Sequence, residues 1–149
     1  MTFKQQVYQQ FLQLLNERID AFQFTLDELS ISVMNENKST AGDKHETALS
    51  MLQLEQSRIA QHLYDAVDHK TIFLQIDIAT NHTVVSSGSL VKTSKGVFFI
   101  GVALPKITID NQNIIAISPQ SPLGEKLMGK AIGETIEVNG IQHLIEEFH

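Results

Sequence analysis

From Phe3 to about Glu36 the chain contains no glycine and no proline. Within that stretch Val7, Phe11, Leu15, Ile19, Phe22, Leu26, Leu29 and Val33 recur every three or four residues. This spacing keeps them on one face of a helix. From Leu15 onward the steps are four, three, four, three, four, which is coiled-coil spacing. A helix of this length is roughly 50 Å long at about 1.5 Å per residue. A small globular domain seldom contains so long a helix, so the pattern calls for a partner helix.

The partner follows in the sequence. Asn37-Lys38-Ser39-Thr40-Ala41-Gly42 is a short polar break ending in glycine, as an αα-hairpin loop requires. Asp43 opens a second periodic run. Ala48, Leu52, Ile59, Leu63 and Val67 form its stripe, with Met51 and Ala66 at the edges. Glu55 occupies a stripe position, where its stem can pack while its head reaches water. The run is expected to end near His69-Lys70, since basic residues suit a helix C-terminus. The predicted element is an antiparallel coiled-coil hairpin over residues 1–70, with its tip at about 37–46.

At Thr71 the pattern changes. Ile72, Leu74, Ile76 and Ile78 alternate with Phe73, Gln75 and Asp77, which predicts a strand. Asn81-His82 reads as a turn. Thr83–Val91 and Gly96–Leu104 read as further strands, with Pro105 ending the latter and Asn113–Ile117 as a fourth. Ser121 and Pro122 have the character of an N-cap and a first helical residue. Leu123, Leu127 and Met128 give that helix an apolar side, and Gly129 is placed to end it. After a turn at Gly133, Glu134–Val138 and Ile141–Ile145 flank Asn139-Gly140, a strong hairpin signal. Residues 71–149 are therefore expected to form a small, mostly antiparallel β-sheet module with one helix. The fold class is α+β: helical hairpin first, sheet second, joined closely at Asp68–Thr71.

Composition narrows the possible functions. The 149 residues carry a formal charge of −6. Binding naked DNA or RNA draws most of its affinity from phosphate neutralisation, which needs a basic surface. A role on nucleic acid therefore requires another protein to hold it. Residues 1–69 have 5 Lys and Arg against 10 Asp and Glu, so the predicted hairpin is the acidic half. No apolar run approaches the ~18 residues of a membrane span. The N-terminus is too polar for a signal peptide. With no cysteine, disulfides and cysteine-based zinc sites are excluded, and a cytoplasmic location is expected.

The segment from Ile117 to Val138 includes Ser121-Pro122, Leu127, Gly129-Lys130 and Gly133-Glu134-Thr135-Ile136-Glu137-Val138. It resembles the C-terminal signature of the GreA/GreB transcript cleavage factors, an S-P-x-x-x-x-L-x-G-K stretch followed by G-[DE]-x-[VI]-x-[VI]. The family also places a G-D-x-x-E stretch at the tip of a helical hairpin. Gly42-Asp43-Lys44-His45-Glu46 stands where periodicity puts the tip here. The order of modules agrees as well. The resemblance implies an FKBP-like C-terminal domain without isomerase activity. It further implies a monomeric factor that binds bacterial RNA polymerase through its secondary channel. Such a factor meets the RNA 3′ end only inside that complex and is not itself an enzyme. The chain departs from the family at Thr47, where Asn is usual, and at Ser50, where an aromatic is usual.

On this reading Asp43 and Glu46 are the catalytic and metal-binding residues. Phosphodiester hydrolysis can use two metal ions about 3.5–4 Å apart, one activating water and one stabilising the leaving oxygen. Magnesium takes oxygen ligands and is often held by one or two carboxylates plus phosphates and water. Three residues apart on a first helical turn, Asp43 and Glu46 lie on nearly one side. They would help the polymerase hold its second Mg²⁺, with no cofactor bound tightly by the free chain. The plainer reading is a capping box, in which Asp caps the helix and Glu bonds back. A second function from the same resemblance is a secondary-channel regulator without cleavage. A third, from another class, is an FKBP-like peptide-binding module with a helical arm.

Other residues carry weaker signals. His45 reads as an exposed polar tip residue, since no second histidine stands at ligand spacing. His62 and His69, seven apart, read as solvated. Lys38 and Lys44 could touch RNA or acidic polymerase residues, although solubility explains them equally well. Phe73, Phe98 and Phe99 read as core. One of Phe98 and Phe99 should point away from it if the sheet has a wet face.

Overall fold

The structure is a computed structural model. It describes residues 1–38 and 43–149, with the side chains of residues 43 and 44 outside that description. Helix α1 spans Phe3–Asn37 and α2 spans Asp43–Leu74. Six strands and a short helix follow: β1 (Leu90–Thr93), β2 (Gly96–Ile100), β3 (Leu104–Ile109), β4 (Gln112–Ile117), α3 (Pro122–Leu127), β5 (Thr135–Val138) and β6 (Ile141–Phe148). The α+β class, with a long helical hairpin ahead of a small sheet, is the one the sequence implies. Two compact units emerge: Leu14–Thr71 in one, and Met1–Gln13 with Ile72–His149 in the other. The chain thus does not divide simply at residue 70, because the first turns of α1 and the end of α2 belong to the sheet unit.

In the unit Leu14–Thr71 the two helices run antiparallel. Gln56 Nε2 donates to Ser30 Oγ at 3.1 Å, and the rings of Phe22 and His62 stack at 5.4 Å. Contact positions fall along α2 as they rise along α1, as antiparallel pairing requires. Leu15, Ile59 and Ala66 are buried, whereas Phe22, Leu26, Leu29 and Val33 are only half-buried. A two-helix seam covers one stripe of each helix and leaves its flanks wet. The α2 stripe corrects the expected one: Ala66 is buried and Val67 is 45% exposed. Glu55 is half-buried and holds Arg58 through a hydrogen bond to the guanidinium Nε at 2.8 Å.

Helix α2 also runs past its expected end. Ile59, Leu63, Ala66, Lys70 and Phe73 continue the four-three rhythm, so Phe73 belongs to the helix stripe. Phe73 is fully buried while Ile72 and Leu74 are about half exposed. This is the reverse of the strand expected over 71–78, and Asp68–Thr71 is helix rather than linker.

In the sheet unit the strand order is β3-β4-β2-β1-β6-β5. Four pairings are antiparallel, and β2 with β4 is parallel. One face of the sheet packs Val91, Ile100, Ile136 and Ile145 with Leu127 of α3 and Val85. On the other face Phe99 meets Phe11 and Phe73 at ring distances of 5.8 and 5.9 Å, and Tyr8 stacks on Phe73 at 4.7 Å. The α1 and α2 residues of this unit therefore cover this face as well, and the condition of a wet face is not met here. Phe98 and Phe99 are both buried, and neither is an exposed contact.

Thr83–Ser89 is not a strand. Gly88 has φ +89°, and a Cβ there would lie 2.5 Å from the Asp77 carbonyl oxygen, so the chain bends tightly past its neighbour. Val85 instead exchanges backbone bonds with Gly129 and Lys130. Pro105 does not end a strand; it sits inside β3. Since β3 is an edge, the missing N–H costs no ladder bond on the open side. The signals further on are met as expected. Ser121 Oγ accepts the Gly124 N–H at 3.0 Å, Pro122 opens α3, and Asn139 and Gly140 both have positive φ in the β5–β6 turn.

Candidate functional site at the hairpin end

The two helices of the hairpin join between Lys38 and Asp43. Asp43 is the first residue of α2, so its backbone starts the helix. Its side chain lies outside the described residues, and so do the reciprocal bonds of a capping box. Glu46 lies one turn further on and is exposed. Its carboxylate makes no hydrogen bond or ion pair with the described residues. Lys44 is likewise outside the description of side chains, and Lys38 is exposed.

His45 differs from expectation. It is half-buried, and its Nδ1 lies 3.3 Å from Glu36 Oε1 on the opposite helix. The contact is a hydrogen bond for neutral imidazole and an ion pair for the protonated ring. Sequence reasoning passed over Glu36, although a signal was present: Glu36 follows Val33 at a step of three and so falls on the α1 stripe. His62 is exposed as expected, but its ring lies on Phe22 and its Nε2 is 3.4 Å from Arg58 Nη1. Among the described residues, no three of His, Asp and Glu converge as a metal site. No helix among them is long and apolar enough to cross a membrane.

A second polar site lies within the sheet unit and was not foreseen. His143 of β6 is buried, with Nδ1 3.0 Å from Thr93 Oγ1 and its ring edge-on to Phe98 at 5.7 Å. Thr93 Oγ1 also accepts the Lys95 N–H at 3.1 Å. Burial, and then the nearby Lys95 charge, lower the His143 pKa below the ordinary histidine value. The arrangement is a satisfied structural pair, since Thr93 gives the buried ring a hydrogen-bond partner.

Chemically, the hairpin end offers an exposed carboxylate on Glu46 and a second acid at Asp43, both on the first turn of one helix. Oxygen ligands of this kind suit magnesium, although two carboxylates alone leave most of its coordination unfilled.

No family model matches the chain, and no curated protein matches it. Among solved structures, that of the transcription factor Gfh1 is similar at 15% sequence identity. The match covers 93% of this chain and 92% of that chain, with a TM-score of 0.35. So distant a likeness carries no function.

Proposed function

We propose that this chain is a Gre-type transcription factor acting on bacterial RNA polymerase. In this reading the hairpin enters the secondary channel and stimulates the polymerase's own cleavage of backtracked RNA. The observation that carries the reading is the start of α2. Asp43 opens the helix where the hairpin closes, and Glu46 stands exposed one turn later. This is also where the G-D-x-x-E resemblance falls, and the C-terminal signature from Ser121 to Val138 supports the same family independently.

When bound in such a site, a second Mg²⁺ supplies charge stabilisation and an activated water. Asp43 and Glu46 would supply oxygen ligands to it, and the polymerase and RNA phosphates the remainder. The chain then contributes ligands and position, with no turnover of its own. Glu46 fits this role because no described side chain occupies its carboxylate. The Glu36–His45 contact would hold the neighbouring residue while Glu46 points to its target. The factor would work as a monomer in the cytoplasm and meet the RNA 3′ end only within the polymerase.

A second reading is a channel-binding regulator without cleavage activity. Thr47 and Ser50, where the family usually has Asn and an aromatic, favour it. Adding the chain and Mg²⁺ to halted, backtracked complexes separates the two. Shortened RNA supports the first reading, and slowed elongation with RNA of unchanged length supports the second. No binding to polymerase at any concentration overturns both.

A further inference from the structure

The sheet unit contains a cleft of about 690 Å³ that the hairpin-end reading does not use. Its apolar wall comes from Phe3, Ile78, Leu90 and Val97, and Lys4, Lys92, Glu147 and His149 line it as well. Pockets of roughly 300–1,000 Å³ with an apolar lining and a few polar groups are the usual shape of small-molecule sites.

The charges within it are incompletely matched. Lys4 is drawn partly out of water, and burial lowers its pKa below the ordinary lysine value, with Asp77 opposing that shift. No hydrogen bond or ion pair with the described residues holds its ammonium. Asp77 acts on it only from a distance, because its own loop engages the carboxylate. Oδ1 accepts the Ala79 and Thr80 N–H groups at 2.8 and 3.4 Å, and Oδ2 accepts the Thr80 hydroxyl. Lys92 has a long ion pair, 3.9 Å from Glu146. The start of α1 is closed by its own side chains: Thr2 Oγ1 accepts the Gln5 N–H, and Gln5 Oε1 accepts the Thr2 N–H. The attraction for an anion therefore rests on Lys4. Glu147, paired across the strands with Lys92, lines the cleft too and would turn a negative head group toward Lys4.

We propose that this cleft binds an amphipathic organic anion, its carboxylate or phosphate head against Lys4 and its apolar body over Leu90 and Val97. A partly desolvated cation held by no ion pair gains most from a counter-charge that brings its own apolar surface.

The test is titration of the full chain with octanoate and octyl phosphate, followed by backbone amide NMR and calorimetry. Octanol and octylamine serve as controls. Both anions, or one of them, should shift the resonances of Leu90, Lys92 and Val97, and the tighter one identifies the head group. Lys4→Met should weaken binding about tenfold or more, Lys4→Arg should restore it, and Lys4→Glu should reverse the preference toward octylamine. Unchanged melting temperatures show that these variants remain folded. Equal binding of octanol or octylamine by the unaltered chain, no anion-dependent shift at millimolar ligand, or unaltered affinity in Lys4→Met would each overturn the proposal. Neither outcome bears on polymerase binding, which is measured separately.

Discussion

Across the end of the hairpin, Nδ1 of His45 stands 3.3 Å from Oε1 of Glu36 and ties the residue before Glu46 to the opposite helix. Both side chains keep some exposure, so the pair contributes little to global stability, about 0–1 kcal/mol. Its consequence is positional. Glu36→Ala should lower the melting temperature only slightly. It should reduce stimulated RNA cleavage more than it reduces affinity for polymerase. Circular dichroism melts, binding titrations and cleavage rates on one variant check this, and equal losses in affinity and rate would speak against a positioning role.

Phe73 distinguishes the helix observed at residues 71–74 from the strand that local alternation suggests. It is fully buried and touches Tyr8 and Phe99, whereas Ile72 is 46% exposed. Phe73→Ala should destabilise the fold by about 3–5 kcal/mol. Ile72→Ala should cost about 1 kcal/mol or less, as exposed positions do. Urea melts of the two variants measure the difference, and comparable losses would contradict the helical register.

Gly124 has no room for a side chain. A Cβ there would lie 2.0 Å from the Ser118 carbonyl oxygen and 2.8 Å from Ser121 Oγ, the atom that caps α3. Gly124→Ala should therefore cost about 1–3 kcal/mol through overpacking, despite alanine's better helix propensity. Thermal unfolding tests this: a variant as stable as the parent chain would show that the Ser118–Ser121 turn can move aside.

His143 makes the sheet unit sensitive to acid. Its pKa in the folded chain is lowered, first by burial and then by Lys95. The unfolded chain consequently takes up the proton more readily than the folded one. Stability is complete above the ordinary histidine value of about 6.5 and declines as pH falls from there toward the folded value. Histidine NMR titration should place this residue below an exposed histidine. Lys95→Ala should raise its pKa only in part, since burial is the larger cause. His143→Gln should flatten the dependence of melting temperature on pH below about 6.5. An unchanged slope in that variant would assign the acid sensitivity elsewhere.

Much of this architecture was legible because its signals are local and repeated. The four-three steps from Leu15 to Val33 specify a paired helix, Asn139-Gly140 a tight turn, and Ser121-Pro122 a capped start. The failures share a different cause. Over a few residues, alternation and the coiled-coil rhythm can both be read, as at Ile72, Phe73 and Leu74. Only distant partners, Tyr8 and Phe99, decide between them. Burial of both Phe98 and Phe99 also depends on long-range packing, because it needs the first turns of α1 on one face of the sheet. At the candidate site, sequence placed Glu46 at the hairpin end. It missed Glu36 as the partner of His45 because such a contact joins residues on two helices.

On the proposed reading the acids at the start of α2 serve cleavage rather than binding. The most direct measurement is RNA shortening in halted, backtracked polymerase complexes, with the parent chain compared against Asp43→Ala/Glu46→Ala at saturating concentrations. The double variant should bind polymerase with unchanged affinity and lose stimulated cleavage by at least about tenfold. Equal cleavage by the double variant and the parent chain would contradict it.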